Sequence, residues 1–271
     1  ITKYRSEYFD KGYDGFSWEL KDGADERIYQ RLAPLALRMS AEDYLKMPKL
    51  VENNIKIELP DPVRQIYNEL ERDLVSSIDS KVVTAATAAV ASVKCRQVAN
   101  GGIYLDPDVK ALVKVPKGSR EWVNLHTEKV DALADLIEEL QGSPVLVAYD
   151  FAHDLDRLRQ KLGLDVPYIG SGVSPKKFKV IEAEWNAGKL PVLLGHPQSI
   201  AHGLNLQEVG NHVCWHSMTW DFELYDQFIR RILRQGNRHK RVFVHHFIAN
   251  DTIDESMYYA IKSKKKGQDA L

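Results

Sequence analysis

Apolar residues recur along this chain with two different periods, and the change of period marks out its elements. From Thr127 onward, Val130, Leu133, Ile137 and Leu140 fall on one face of a helix that Thr127 can cap and Gly142 can close. Pro144 to Tyr149 is unbroken apolar sequence and predicts a strand. A second helix carries Leu155, Leu158 and Leu162 and ends at Gly163, and a short strand follows near Pro167 to Ile169. Ser174 and Pro175 fit the N-cap and first turn of a helix whose core face is Phe178, Ile181 and Trp185, with Gly188 as its exit. Further strands are predicted at Pro191 to Leu194, His212 to Trp215 and Arg241 to Ile248, then a last helix opened by a capping box, Thr252-Ile-Asp-Glu255. Strands that are apolar at every position need cover on both faces, so the pattern predicts an α/β fold built on a parallel sheet flanked by helices.

The first 120 or so residues read differently. Asp61 and Pro62 start an amphipathic helix with Val63, Ile66, Tyr67 and Leu70 inward, and the Ala-rich stretch Thr84 to Val93 favours another. Little here reads as strand. The expected division is a mostly helical linker region at 1–120 and the α/β domain at 121–271.

One segment of the α/β domain carries candidate chemistry. Asp221 to Arg241 reads D-F-E-L-Y-D-Q-F-I-R-R-I-L-R-Q-G-N-R-H-K-R. Phe222, Tyr225, Ile229 and Ile232 give it an apolar face, and Gln227, Arg231 and Arg234 are spaced to share another face of the same helix. Two arginines so aligned offer planar donors suited to phosphate. Acidic residues at the start and basic ones at the end also suit the helix dipole, which is the plainer account of the same charges.

Upstream lies H-P-Q-S-I-A-H-G-L-N-L-Q (His196 to Gln207), then an apolar run and T-W-D. These residues resemble, in order and spacing, the last motifs of the superfamily II helicase engine, specifically its Swi/Snf-like double-stranded DNA translocases of phage and bacterial type. Gly203-Leu-Asn205-Leu matches motif V, and Gln227-x-x-x-Arg231-x-x-Arg234-x-Gly236 matches motif VI, with Arg230 where the family usually has glycine and Asn237 where it often has glutamine. Arg31 to Leu59 resembles the bridge between the family's two lobes through Leu37 and Arg38, with Met39 replacing a second arginine, and Cys95 to Tyr104 resembles the helix end that enters the second lobe.

The resemblance implies a RecA-like second lobe acting with a first RecA-like lobe of the same polypeptide. ATP and Mg2+ would be held mainly by that first lobe, since this chain has neither a G-x-x-x-x-G-K-[ST] loop nor a D-E-x-H run, and the fragment alone is expected to be inactive. Arg234 would be the arginine finger, with Arg231 also near the phosphates and Gln227, Gly203 and Asn205 at the nucleotide cleft. Double-stranded DNA would be held through its backbone by strand-end loops. The candidates are the turn Tyr149-Asp150-Phe151, the loop Gly170-Ser171-Gly172, and Lys176 and Lys177 beyond it. Alternatives from the same reading are a strand-separating helicase or restriction-type motor lobe, and a non-catalytic nucleic-acid-binding module. A Rossmann dehydrogenase is disfavoured because no G-x-G-x-x-G follows a strand.

Composition adds limits. In 271 residues the formal net charge is −1, so any nucleic-acid contact must come from local patches such as Arg230 to Arg241. Cys95 and Cys214 give no disulfide framework or zinc spacing, and His245-His246 point to opposite faces of one strand, so no metal site is expected. No apolar run approaches the roughly 20 residues of a membrane span. With no signal peptide and Ile1 in place of a start methionine, the expectation is an intracellular protein, in the cytoplasm or nucleoid of a bacterial or phage-infected cell, read here as a fragment of a longer chain.

Overall fold

The computed structural model describes residues 2–11, 18–32, 46–79, 85–105, 122–200 and 203–269, and divides into two compact units. Leu37, Arg38, Met39 and His202 lie outside the described residues. In the smaller unit, helix α1 (Thr2–Tyr8) leads into the antiparallel pair β1 (Phe9–Lys11) and β2 (Trp18–Leu20), followed by helix α2 (Ala24–Leu32). Tyr8 and Ala24 are its buried apolar residues among those described.

The larger unit, Met47–Lys266, is built on six parallel strands. They are β3 (Lys49–Ile57), β6 (Val145–Ala148), β7 (Tyr168–Ile169), β8 (Val192–Gly195), β9 (His212–Trp215) and β10 (Arg241–Ala249), in the order β3-β10-β9-β6-β8-β7. A small antiparallel pair, β4 (Gly102–Tyr104) with β5 (Trp122–Asn124), stands apart from this sheet.

Alternation along each strand splits the core in two, as a period of two requires. Leu146, Ala148, Leu193, Val213 and Trp215 face helices α3 (Asp61–Asp79), α4 (Ala85–Asn100), α7 (Pro175–Asn186), α9 (Phe222–Ile229) and α10 (Ile253–Asp269). Val145, Val147, Val192, Leu194 and Cys214 face α5 (Glu128–Glu139) and α6 (Ala152–Leu162). The short α8 (Pro197–Ile200) follows β8. The fold is thus the expected α/β arrangement of a RecA-like parallel sheet flanked by helices.

Two local expectations are corrected. Lys49–Ile57, in the stretch expected to be helical, is a nine-residue strand paired along its length with β10. Its sequence K-L-V-E-N-N-I-K-I is half polar because it is an edge strand with only partial burial, so it lacks the unbroken apolar signature of the inner strands. The arginine segment is not one helix either: α9 ends at Ile229, with Arg230 as its C-cap. Tight turns follow, carried by Ile232 N to Ile229 O at 3.0 Å and Arg231 N to Phe228 O at 3.2 Å. Arg231 and Arg234 therefore do not share a helix face with Gln227.

Candidate functional site

Because all six strands run in one direction, the loops that follow them gather at one edge and those that precede them at the other. The candidate residues separate into these two groups.

At the carboxyl edge, the segment after β6 carries Tyr149, Asp150 and Phe151, that after β7 carries Gly170 to Gly172, that after β8 carries His196, and that after β9 carries Ser217 to Trp220. Tyr149 is buried, with its ring 5.8 Å from that of His196 and its hydroxyl packed where a Cβ on Gly170 would lie. This close approach is why position 170 takes glycine. Asp150 pairs with Arg96 of α4 and with His196 Nε2 at 3.4 Å. Burial pushes the Asp150 carboxyl up, but the hydrogen bond to His196 and the Arg96 charge outweigh it and hold it below the usual carboxylate range. Arg96 also donates to Met218 O at 3.1 Å and lies over the Phe151 ring, 5.2 Å from its centroid. Asp150 therefore holds both Arg96 and His196, and a phosphate approaching this turn would meet the Arg96 guanidinium and the His196 ring. Together with Ser217, Trp220 and Leu224, these residues line a cleft of about 250 Å³.

Ser171 and Gly172 are exposed, and Gly172 has φ +80°, a backbone state that favours glycine. Ser174 caps α7 by accepting from Lys177 N at 3.3 Å, and Lys176 and Lys177 stand exposed on its first turn.

The other edge holds the motif V and motif VI residues. Asn237 Nδ2 donates to Gly210 O at 2.9 Å, and His239 Nε2 lies 3.0 Å from Val209 O, just before β9 begins. Here the loop Gly203-Leu-Asn205-Leu meets the two arginines. Arg234 Nη1 donates to Asn205 Oδ1 at 2.7 Å, Arg231 Nη1 to Leu204 O at 3.4 Å, and Leu206 N to Arg231 O at 3.3 Å. Arg234 is exposed and Arg231 half-buried. Burial and the neighbouring Arg234 charge both lower the Arg231 guanidinium from its ordinary value, which still leaves it a cation at neutral pH. The tertiary bonds to this loop also explain why the helix gives way to turns after Ile229. Gln227 Nε2 is turned back along its own helix to Glu223 at 2.9 Å. Arg230 is exposed and bonded to Asp226 at 2.5 Å, so its replacement of glycine crowds nothing. Gly203 has φ +78° with open space around it.

Beneath the carboxyl edge lies a buried polar network that the sequence pattern did not reveal. Lys129 Nζ, fully buried, donates to Asp254 at 2.5 Å, Asn100 Oδ1 at 2.9 Å and His216 O at 3.3 Å. Asp154 accepts from Ser217 Oγ at 2.7 Å, Asn100 Nδ2 at 3.0 Å and Phe151 N at 3.1 Å. Burial favours the protonated acid at Asp154, yet His153, His216 and Ser217 hold it far below the usual range. Of the expected capping box only the Thr252 half forms: Thr252 Oγ1 accepts from Asp254 N at 3.2 Å, while Glu255 pairs with Lys56 at 2.8 Å and the Asp254 carboxylate turns inward to Lys129. Arg96 lay in a segment singled out for its family likeness but carried no signal of its own role, and Glu182 and Asn186, which touch Asn205, carried none. Among the described residues, no three His, Cys, Asp or Glu side chains are grouped to hold a metal ion, and no helix is long and apolar enough to cross a membrane.

Residues 128–236 match the family described as the helicase conserved C-terminal domain. Protein p41 of Acyrthosiphon pisum secondary endosymbiont phage 1 is 35% identical over 248 residues, covering 89% of this chain and 49% of that protein, so the chain spans about half the length of this relative. The structure is similar to the C-terminal part of the Fun30 ATPase domain, with a TM-score of 0.60 at 14% identity, covering 79% of this chain and 90% of that one. It is similar to the Sulfolobus solfataricus SWI2/SNF2 ATPase C-terminal domain, with a TM-score of 0.54 at 16% identity over 80% and 87% of the two chains. The Sulfolobus solfataricus SWI2/SNF2 ATPase core domain gives 0.58 at 18% identity, covering 90% of this chain but 50% of that one. At these identities the structural likeness is one of fold.

Proposed function

The chain carries a helicase conserved C-terminal domain folded like the C-terminal lobe of a Swi2/Snf2 ATPase, and from that premise we propose that it is the second motor lobe of an ATP-dependent double-stranded DNA translocase. The observation that carries the proposal is the docking of Arg234 on Asn205 and of Arg231 on Leu204, which joins the two motifs into one exposed cationic site.

In this reading a first lobe of the same polypeptide holds ATP and Mg2+, and the metal neutralises phosphate charge there. This chain supplies Arg234 as a cation aimed at the charge that develops on the transferred phosphoryl group, an effect worth about 10³-fold or more in rate. Arg231 keeps the loop and the finger in register. Residues 1–120 form the interlobe linker, which lends β3 to the sheet, and 121–271 form the lobe. At the carboxyl edge, Gly170 to Gly172, Lys176 and Lys177 meet the DNA backbone, with Asp150 and Phe151 setting the posture of Arg96. The protein works inside a bacterial or phage-infected cell, where its duplex substrate is found.

The test is ATP turnover by the polypeptide that carries this chain with its ATP-binding lobe, with and without double-stranded DNA, beside its Arg234→Ala variant. Turnover stimulated by DNA and reduced at least 100-fold in the variant is expected. Near-normal turnover in the variant removes Arg234 from the reaction, and no turnover in the parent leaves the lobe as a binding scaffold.

A further inference from the structure

The motif V loop is held from two sides, and only one of them is the arginine segment. Helix α7 presents Glu182, Trp185 and Asn186 at the i, i+3 and i+4 positions of a single face. Glu182 Oε1 accepts from Asn205 N at 2.6 Å, Asn186 Nδ2 donates to Asn205 O at 2.7 Å, and Trp185 Nε1 donates to Leu206 O at 2.9 Å. Asn205 is thus fixed at both its backbone groups by α7, while its side-chain oxygen receives Arg234. A guanidinium has five donors, so one bond to Asn205 sets its plane and leaves others for a phosphate.

We infer that Glu182 and Asn186 are positioning residues for Arg234, acting through the backbone of Asn205, and that α7 is the strut that sets where the arginine stands. The inference rests on the motor reading above for its kinetic consequence, but its geometric core does not. Trp185 is fully buried and anchors the strut in the core, so the helix cannot slide to accommodate a loosened loop. Glu182 and Asn186 are only half-buried, so their role is the bond they make rather than the space they fill. The same helix begins at the opposite edge of the sheet, with the Ser174 cap and Lys176 and Lys177. A displacement of its first turn by DNA therefore has a rigid path to Asn205.

The bond required of Glu182 is acceptance from an N–H, which glutamine can also supply at the same reach and alanine cannot. Misplacement of a reacting group by about 1 Å costs up to 10²-fold in rate. Glu182→Ala is expected to lower kcat for DNA-stimulated ATP turnover about 10-fold with KM for ATP within about twofold. Glu182→Gln should restore most of that loss. In this chain by itself, Glu182→Ala should speed amide hydrogen exchange at Asn205 by at least about 10-fold, with the thermal midpoint little changed.

Wild-type kcat in Glu182→Ala overturns the inference, as does Glu182→Gln failing as badly as alanine, which would make the charge and not the bond the cause. Unchanged exchange at Asn205 overturns its geometric core. Arg234→Ala, run in parallel, separates the two readings. If it keeps turnover, the arginine assignment has failed. If it loses turnover while Glu182→Ala does not, only the positioning role has failed. In the Arg234→Ala background Glu182→Ala should add no further loss, because both act on one group.

Discussion

Replacing Lys129 by methionine tests whether the buried polar network holds the lobe together. Methionine keeps most of the apolar stem and deletes all three donors. The Asp254 carboxylate, whose side chain is 2% exposed, would then retain the Ala249 N–H at 3.1 Å but no cation. Asn100 Oδ1 and His216 O would each lose a donor in a site without solvent. Breaking a buried pair by removing one partner costs about 3–5 kcal/mol, chiefly the penalty of the charge left behind. At about 2–4 °C per kcal/mol for a domain of this size, the thermal midpoint should fall by roughly 10 °C.

The control is Lys129→Met combined with Asp254→Asn, which removes the stranded charge while keeping an acceptor for Ala249 N–H. That double variant should recover at least about 1–2 kcal/mol relative to the sum of the single costs. Urea unfolding of the chain at pH 7, followed by circular dichroism, measures all four corners of the cycle. A single-variant cost under about 1 kcal/mol, or strictly additive costs, would refute the claim that the pair is buried and coupled.

Two further predictions concern acid and packing. Burial keeps the His246 ring neutral, so with Nδ1–H given to Asn54 Oδ1 at 3.0 Å, Nε2 accepts from Tyr225 OH at 2.8 Å. Burial pushes His246 and His216 down to about 3, below the ordinary value of 6.5, so the unfolded chain binds protons that the folded one does not. Stability should therefore be full above about pH 6.5 and fall as the pH drops toward the folded values, by about 2 kcal/mol per histidine at pH 5. A urea midpoint that stays flat from pH 7 to pH 5 would contradict this. Gly210→Ala would place a Cβ 2.4 Å from the buried Trp185 ring and should cost about 1–3 kcal/mol, whereas Gly203→Ala meets no atom within 4 Å and should cost only the roughly 1–2 kcal/mol of a left-handed backbone. Since Gly210 has no left-handed backbone, a Gly210→Ala cost under about 0.5 kcal/mol in denaturant melts would refute the packing argument.

The parts of this fold legible in the sequence are those whose burial is complete. The inner strands β6, β8 and β9 are apolar at nearly every position because helices cover both faces, and that signal survives without any structure. β3 was illegible for the converse reason: an edge strand with exposed Asn53, Asn54 and Lys56 looks like a polar loop until β10 is seen beside it. The end of α9 was hidden by its own amphipathic pattern. Ile232 and Leu233 stay buried in the turns just as they would in a helix, so periodicity alone cannot report that the backbone has turned to meet Leu206. Lys129 shows the deepest limit. A lysine in a helix reads as solvated by default, and its partners Asn100 and Asp254 are too remote in the chain for any spacing rule to join them.

The candidate site divides the same way. The pairing of the GLNL loop with the arginines was anticipated by motif order, and the contact between Asn205 and Arg234 gives that order a physical form. What motif order cannot supply is the distance between functions. The loops at Asp150 and Gly170 follow strand ends, while Asn205 and Arg234 lie where strands begin, so whatever binds at one edge acts on the other only through elements that cross the sheet. Helix α7 crosses it in a single rigid run, capped by Ser174 at one end and bonded to Asn205 near the other. On the proposed motor reading, one route of coupling between DNA and ATP is the stiffness of this helix and the strength of its two hydrogen bonds to Asn205. A substitution at Glu182 or Asn186 should consequently weaken stimulation by DNA without weakening the grip on either ligand.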